Sequence, residues 1–238
     1  MKQDLTSINV IIDKSGSMGH LATDTMGSFN SFVAEQKLVP GEAVFTLCTF
    51  NEHPVLVHDF VKLASVPDLN RKSYYPNGGT ALLDAMGTTI NSVGAKLSAL
   101  PEDERPSKVI FLIITDGQEN SSRSFTKEQV KSMVEHQRDV YSWEFVFMGA
   151  NIDAIGEGTS LGISAQNTMN YAPSAVGTRS LYSSVSSSMT GYRGGSSSKA
   201  SYFDPNAVPP APVNPSPTPV TPAPTKTGRD SKGRFTSK

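Results

Sequence analysis

The sequence predicts an α/β fold in which a doubly wound, mostly parallel sheet carries helices on both faces. Two segments, residues 8–12 and 109–115, are almost uninterrupted apolar runs, which is typical of parallel strands covered on both sides. The segments between such runs carry apolar residues at helical spacing, so each presents one buried stripe. Strands that alternate with amphipathic helices indicate a parallel sheet built from crossover units.

The first half of the chain predicts three strands and two helices. Residues 42–50 and 53–62 predict two strands joined by a tight turn at Asn51-Glu52, and this pair is the one expected antiparallel edge. Helices are expected before and after the pair. Their apolar stripes fall at Ala22, Met26, Phe29 and Val33, and at Leu82, Met86, Ile90, Val93 and Leu97.

The second half of the chain continues the alternation after the 109–115 strand. Thr126 and Gln129 have the spacing of a capping box, which opens a helix. A strand is expected over residues 141–148, a short helix from Asn151 to about Gly162, and a short last strand over 167–171. The apolar stripes of the two longer helices are Val130, Met133 and Val134, and Leu181, Val185, Met189 and Tyr192.

The composition changes near Gly195. Nine prolines fall between Pro205 and Pro224, and such a stretch cannot bury enough apolar surface to fold. We therefore predict a folded domain over residues 1–195 and a disordered Ser/Pro-rich linker with a basic tail over residues 196–238. The domain has 15 Lys and Arg against 20 Asp and Glu, whereas the tail has 6 against 2.

Charge and composition narrow the class of function. A mildly acidic domain fits protein ligands better than nucleic acid, which the basic tail leaves open as a secondary contact. Cys48 is the only cysteine, so no intramolecular disulfide is possible. The chain has neither the apolar region of a signal peptide nor a run of eighteen apolar residues. We expect a soluble, cytoplasmic protein without a membrane partner.

Oxygen-bearing side chains cluster in three segments that follow predicted strands or turns. Asp13, Ser15 and Ser17 form an Asp-x-Ser-x-Ser pattern after the first strand, Thr80 follows a glycine-rich turn, and Asp116 ends the 109–115 strand. In doubly wound sheets ligands bind at the carboxyl ends of the strands. Carboxylate and hydroxyl oxygens are the ligands that Mg²⁺ prefers, and Mn²⁺ accepts them as well. The pattern predicts a divalent metal site.

This set resembles the metal-ion-dependent adhesion site of the von Willebrand factor A (vWA) family, and looks most similar to stand-alone vWA proteins of bacteria and phages. The resemblance continues through residues 78–85, 114–120 and 146–154 and covers roughly the first 195 residues. It implies that Asp13, Ser15, Ser17, Thr80 and Asp116 are metal ligands, some of them through water. It also implies an open metal position that takes an Asp or Glu from a partner protein, with AAA+ ATPases acting in trans among the partners.

Other polar residues flank these segments. Gly78 and Gly79 are expected to adopt positive φ and so bring Thr80 close to the metal. Asp84 is expected either to interact with the helix dipole or to support Thr80. The remaining candidates are Lys14 and His20 as surface residues, Asn151 and Asp153 as helix caps or rim residues, and Gln118, Glu119 and Asn120 as rim residues for partner specificity or parts of a solvated loop.

The sequence predicts a binding protein rather than an enzyme. Patterns for an Asp-x-Asp phosphatase, a Gly-x-Ser-x-Gly hydrolase, a phosphate loop and a zinc site are all incomplete. We therefore expect an intracellular, metal-dependent module that captures an acidic side chain of a partner. Two alternatives stay open: a metal-dependent phosphate-ester hydrolase, and a tethering module whose basic residues 226–238 hold nucleic acid or a large assembly.

Overall fold

The computed structural model describes residues 1–195, and the predicted linker and basic tail lie outside the described residues. Six strands form one sheet in the spatial order β3-β2-β1-β4-β5-β6, and within it only β3 runs antiparallel to its neighbour. The predicted α/β fold class is therefore confirmed. The strands are β1 (Lys2–Asp13), β2 (Glu42–Phe50), β3 (Pro54–Lys62), β4 (Pro106–Thr115), β5 (Glu144–Gly149) and β6 (Thr168–Asn170).

Five α-helices cover the two faces of the sheet. They are α1 (Ala22–Leu38), α2 (Leu82–Ala99), α3 (Lys127–Tyr141), α4 (Ala154–Ser160) and α5 (Ala175–Arg193). The α1 and α5 helices pack on one face, and α2, α3 and α4 pack on the other. None of these described helices combines the length and the apolar character needed to cross a membrane.

Alternating residues of each strand supply the two cores. Ile8, Val10 and Ile12 of β1 pack against α1 and α5, whereas Ile11 packs towards α2, because successive side chains of a strand point to opposite faces. All four are fully buried. The continuous apolar run in β1 is thus explained by cover on both faces.

The order of the strands reverses between β1 and β4. These two central strands pair in parallel, with Ile12 opposite Ile114, and the chain leaves them towards opposite faces because β1 leads to α1 and β4 to α3. Such a reversal opens a crevice at the carboxyl ends of the strands. Asp13 and Asp116 both lie at this end.

Several predicted boundaries differ from the structure; β4, for example, begins at Pro106 instead of residue 109. The strand expected from residue 141 begins at Glu144, because α3 continues to Tyr141 and Ser142 ends it in the left-handed conformation with φ 56°. The first strand begins at Lys2 instead of residue 8, since its polar start gains a hydrogen bond from Lys2 N–H to the Arg105 carbonyl (2.8 Å). The capping box of Thr126 and Gln129 is confirmed.

Candidate metal centre

Asp13 is the most tightly held residue of the predicted site. Its carboxylate is fully buried. Oδ1 accepts the Ser15 N–H (2.6 Å) and Oδ2 accepts the Thr115 hydroxyl (2.6 Å). The Asp13 carbonyl accepts the hydroxyl of the buried Tyr74 (2.6 Å). Neighbouring segments therefore fix both the backbone and the side chain of Asp13 at the end of β1.

A chain of hydrogen bonds joins the two serines to Asp116. The hydroxyls of Ser15 and Ser17 lie 3.0 Å apart, and Ser17 Oγ donates to Asp116 Oδ1 (2.6 Å). The other oxygen, Asp116 Oδ2, is buried and has no hydrogen-bond partner in the described part of the chain. A buried carboxylate oxygen without a donor is costly and calls for an explanation.

Thr80 reaches the same place from the loop before α2. Backbone bonds tie the two loops together, from Gly16 N–H to the Gly78 carbonyl (3.0 Å) and from Asn77 N–H to the Lys14 carbonyl (2.9 Å). A methyl group placed on Gly117 would lie 3.1 Å from Thr80 Oγ1, 3.4 Å from Ser17 Oγ and 3.8 Å from Asp13 Oδ2. Oxygens of these three side chains thus line one small space beside Gly117.

Burial makes both carboxylates of the site costly to ionise. Burial raises the pKa of Asp13 from 3.8 to about 6, hydrogen bonds from Thr115 and Ser15 partly offset this, and the charge of Asp116 adds to it. Burial also raises the pKa of Asp116, against the hydrogen bond from Ser17 and the nearby His20. A divalent cation between the carboxylates would relieve this cost.

The donor set fits a hard divalent cation. It comprises two carboxylates and three hydroxyls, and the unpartnered Asp116 Oδ2 is available to a cation. Over residues 1–195 no group of three or more His, Cys, Asp or Glu side chains could hold a metal, so the thiolate and imidazole ligands favoured by softer metals are not clustered. Oxygen ligands of this kind suit Mg²⁺ or Mn²⁺.

Asn120 and Glu119 bond to the chain at the start of α2, Asn120 to Thr80 and Glu119 to Leu83. The Asn120 side-chain oxygen accepts the Thr80 N–H (2.9 Å), and the backbone N–H of Asn120 donates to the Thr80 carbonyl (3.0 Å). The Glu119 carboxylate accepts the N–H of Leu83 (3.0 Å) and the hydroxyl of Ser122 (2.8 Å). Glu119 is half-buried, so the simple solvated loop is wrong for it, whereas Asn120 remains exposed while its side chain bonds to Thr80.

Asp84 continues this attachment one turn further along α2. Its buried carboxylate accepts the backbone N–H groups of Arg123 (2.9 Å), Ser124 (2.8 Å) and Phe125 (2.9 Å). The predicted dipole interaction fits the structure, since Asp84 lies in the first turn of α2, and the structure shows in addition that Asp84 holds the loop between β4 and α3. We call residues 119–125 the anchored loop.

At these glycines the lack of a side chain matters more than the conformational freedom of the backbone. Gly78 has the predicted positive φ (71°), whereas Gly79, Gly16 and Gly117 do not, so that expectation was wrong for Gly79. A side chain on Gly79 would clash with the Ser121 hydroxyl and lie 2.9 Å from Asn120 Oδ1. The anchored loop therefore packs directly against the backbone that precedes Thr80.

The remaining predicted residues lie around the site. His20 is exposed, and its Nδ1 lies 2.8 Å from the Ser17 carbonyl. Asp153 caps α4 by accepting the Gly156 N–H (3.0 Å), which confirms the predicted cap. Asn151 is exposed in the left-handed conformation (φ 57°), and Gln118 is exposed.

Sequence reasoning missed Thr115 and Tyr74. Thr115 is a polar residue directly before Asp116 in an otherwise apolar strand, and this position could have signalled a role at the site. Tyr74 lies in the irregular segment between β3 and α2, where no periodicity predicts which side chain turns inward.

By sequence, the chain matches no protein-family model and no curated protein. By structure it is similar to several solved proteins with a vWA-type domain. They include a von Willebrand factor type A protein from Catenulispora acidiphila (15% identity, TM-score 0.52) and the proximal thread matrix protein 1 of the mussel byssus, solved with a zinc-occupied MIDAS motif (15%, 0.55). A third is the vWF domain of a type V pili tip protein from Porphyromonas gingivalis (10%, 0.56).

These likenesses show a vWA-like fold. The matches cover 78%, 78% and 77% of this chain in the order given. The chain spans less than half of the first two proteins, 43% and 46%, and 94% of the pili domain.

Proposed function

We propose that this chain is a metal-dependent protein-binding module. In this proposal Asp13, Ser15, Ser17, Thr80 and Asp116 hold Mg²⁺ or Mn²⁺, and a partner protein contributes an Asp or Glu side chain. The observation that carries the proposal is the buried, unpartnered Asp116 Oδ2, close enough to a second buried carboxylate for its charge to raise the pKa of Asp13. A cation explains both features at once.

The vWA-like fold supports this proposal. The mussel protein carries zinc in its MIDAS motif, which supports a divalent cation at the corresponding edge of this fold. The mussel protein is a thread matrix protein and the Porphyromonas protein lies at a pilus tip, and both roles fit a module that acts by contact with other proteins.

Each residue of the site has a definite task in this proposal. Thr115 and the Ser15 N–H orient the Asp13 carboxylate, and Asn120 holds the backbone of Thr80. Ser17 is exposed and marks the side from which a partner approaches. The bound ion would supply an electrophilic position for the partner's carboxylate, since hydroxyl ligands leave it less neutralised than a full set of carboxylates would.

Metal binding is the first test. Isothermal titration of the full chain with MgCl₂ and MnCl₂ should show one saturable site that Asp116→Asn removes. Asp103→Asn is the matched control, because Asp103 is exposed and lies before the start of β4, whereas Asp116 follows the other end of that strand. Equal binding by wild type and Asp116→Asn, with circular dichroism unchanged, would contradict the assigned site.

Carboxylate capture is a separate test. Mn²⁺-loaded protein should enhance water proton relaxation, and N-acetyl-glutamate amide should lower that enhancement by displacing bound water. N-acetyl-glutamine amide has the same shape without the charge and should have no effect. If both compounds act equally, or neither acts at millimolar concentration, the partner's acidic side chain is not the ligand.

The hydrolase alternative receives no specific support. Of the described histidines, His20 influences Asp116, yet its Nδ1 contacts the Ser17 carbonyl on the exposed surface. We expect no Mg²⁺- or Mn²⁺-dependent turnover of p-nitrophenyl phosphate. Turnover that Asp116→Asn abolishes would replace the binding proposal with a phosphate-ester hydrolase.

A further inference from the structure

A groove lies at the end of the sheet opposite the carboxyl ends of the parallel strands, away from the candidate metal centre. It occupies about 300 Å³ between the last turn of α1, the beginnings of β1 and β2, and the last residue of β3. Leu5, Val44 and Leu63 give it an apolar floor, and Lys37, Lys62 and Arg193 add three cations. We call it the basal groove.

The charges of the basal groove are unbalanced. Among the described residues that line it, Glu42 is the single acid; it pairs with Lys2 outside the lining (2.6 Å) and also interacts with the charge of Lys62, which leaves one acid against three cations. Lys37 donates to the Val66 carbonyl (2.7 Å), which does not neutralise its charge. The groove therefore favours an occupant that carries a carboxylate and apolar groups.

Arg193 indicates that an acceptor is missing. It is only 9% exposed, and its Nη1 donates to the carbonyl (2.7 Å) and side chain (3.1 Å) of Gln36. Its Nε, however, has no acceptor anywhere in residues 1–195. Buried donors normally have partners, so a further acceptor is expected at this position.

We propose that the chain's own segment Tyr202-Phe203-Asp204, which lies outside the described residues, docks in the basal groove. Tyr202 and Phe203 are the only adjacent aromatic pair after α5, and Asp204 is one of two acids in residues 196–238. Their rings match the apolar floor, and the Asp204 carboxylate matches Lys37, Lys62 and Arg193.

The position of the groove relative to the end of α5 makes this segment the nearest candidate. Arg193 is both the last residue of α5 and part of the groove lining. Ten residues separate Arg193 from Asp204 and could span at most about 35 Å. A tether this short gives an effective concentration of the order of millimolar, so weak contacts are enough.

Exposed apolar surface beside the groove supports an interaction there. Leu38 is 85% exposed and directly follows the lining residue Lys37. Leu38 does not itself line the groove, and single exposed leucines are common, so it adds only apolar surface next to a lining residue along the chain. The inference uses no residue of the metal centre and stands independently of the proposed function.

Hydrogen exchange measured by mass spectrometry on the full chain tests the docking. Amides of residues 200–204 should exchange at least about tenfold more slowly than those of residues 226–238, as expected for a docked segment. The double variant Tyr202→Ser/Phe203→Ser should remove that protection and also speed exchange at residues 42–45. Phe235→Ser is the matched control, because it removes the remaining aromatic residue of the tail and should change neither region.

Reversing the charges of Lys62 and Asp204 tests whether these two side chains interact. Lys62→Glu should abolish the protection of residues 200–204, and adding Asp204→Lys should restore part of it. Lys72→Glu alters an exposed lysine outside the groove and should have no effect.

Two results would overturn the proposal. The first is exchange of residues 200–204 in wild type at the rate of residues 226–238. The second is protection that grows with protein concentration, which would assign the groove to a second copy of the chain.

Discussion

The two faces of the sheet are built differently. On the face of α2 and α3, aromatic rings stack closely, with Phe111 centred 5.4 Å from Trp143 and 5.0 Å from Phe145. On the face of α1 and α5, hydroxyls and a guanidinium are buried among the apolar side chains. Thr178 Oγ1, Tyr182 OH and Arg193 Nε of α5 have no partner within the described residues.

The polar contacts of the two faces differ in the same way. The buried carboxylate of Asp84 accepts three backbone N–H groups. In contrast, α5 is joined to α1 through the Gln36 side chain, which donates to the Ser186 carbonyl (3.1 Å) and to Thr190 Oγ1 (3.2 Å). Buried polar groups rigidify a structure when they are fully satisfied and weaken it when they are not.

This difference indicates that the α2 face provides the rigid support for the candidate site. The α2 face fixes Thr80 through the anchored loop, so we expect it to be the more stable half. The α5 helix should open first, since its buried polar groups lose little when they are hydrated. Four sets of variants test whether the two faces differ in this way.

The largest effect is expected for Asp84→Ala. Three backbone N–H groups lose their acceptor, and we expect the free energy of unfolding to fall by about 3 kcal/mol. Urea unfolding measures this, with the exposed Asp103→Ala as control, for which we expect less than about 0.5 kcal/mol. Equal effects would mean that the anchored loop does not account for the rigidity of the α2 face.

The second-largest effect concerns Asp13, which lies at the carboxyl end of the central strand β1, between the two faces. Its pKa is raised from 3.8 to about 6 in the folded protein, so the folded state binds this proton more tightly than the unfolded state. The stabilisation is complete below about pH 4 and is lost as the pH rises to about 6.

Unfolding of metal-free protein measures this loss. Between pH 4.5 and 6.5, wild type should lose about 2 kcal/mol relative to Asp13→Asn, which has no proton to lose there. Added Mg²⁺ should stabilise wild type more at pH 7 than at pH 5. Parallel pH profiles for the two proteins would show that Asp13 carries no such cost.

Two glycines of α2 form the third comparison. A methyl group on Gly87 would lie 2.5 Å from the Phe125 ring, whereas one on Gly94 would lie 3.9 Å from Trp143. Gly87→Ala should therefore destabilise by about 1.5 kcal/mol through overpacking. Gly94→Ala should stabilise by about 0.5 kcal/mol through helix propensity. Thermal and urea unfolding distinguish them, and a tolerated Gly87→Ala would disprove tight packing of the anchored loop.

The smallest effects are expected for two tyrosines of the α5 face. Tyr74→Phe removes the hydrogen bond to the Asp13 carbonyl and should cost about 1 kcal/mol. Tyr182→Phe removes a buried hydroxyl without a described partner and should be neutral or slightly stabilising. A loss of stability in Tyr182→Phe equal to that in Tyr74→Phe would show that its hydroxyl is satisfied after all.

The fold, and the placement of Asp13 and Asp116 at one end of the sheet, could be predicted from the sequence for a physical reason. The run from Ile8 to Ile12 needs cover on both faces, and Asp13 and Asp116 end strands that meet at one edge. The anchored loop could not be predicted, because Asp84 and Glu119 bond to backbone N–H groups, which every residue except proline carries. The sequence pattern does not indicate which backbone N–H groups lie next to these two carboxylates.

The reversal of strand order between β1 and β4 also bears on how the molecule folds. The hydrogen bond from Ser17 to Asp116 joins residues 99 positions apart, and the chain between them forms helices on both faces. Contacts of such high sequence separation form late, since loop closure must come first. The oxygen cluster is therefore complete only in molecules where both crossovers have docked, so occupancy by a divalent ion would count the fraction in which β1, β4 and these crossovers are folded, whether or not α5 is open.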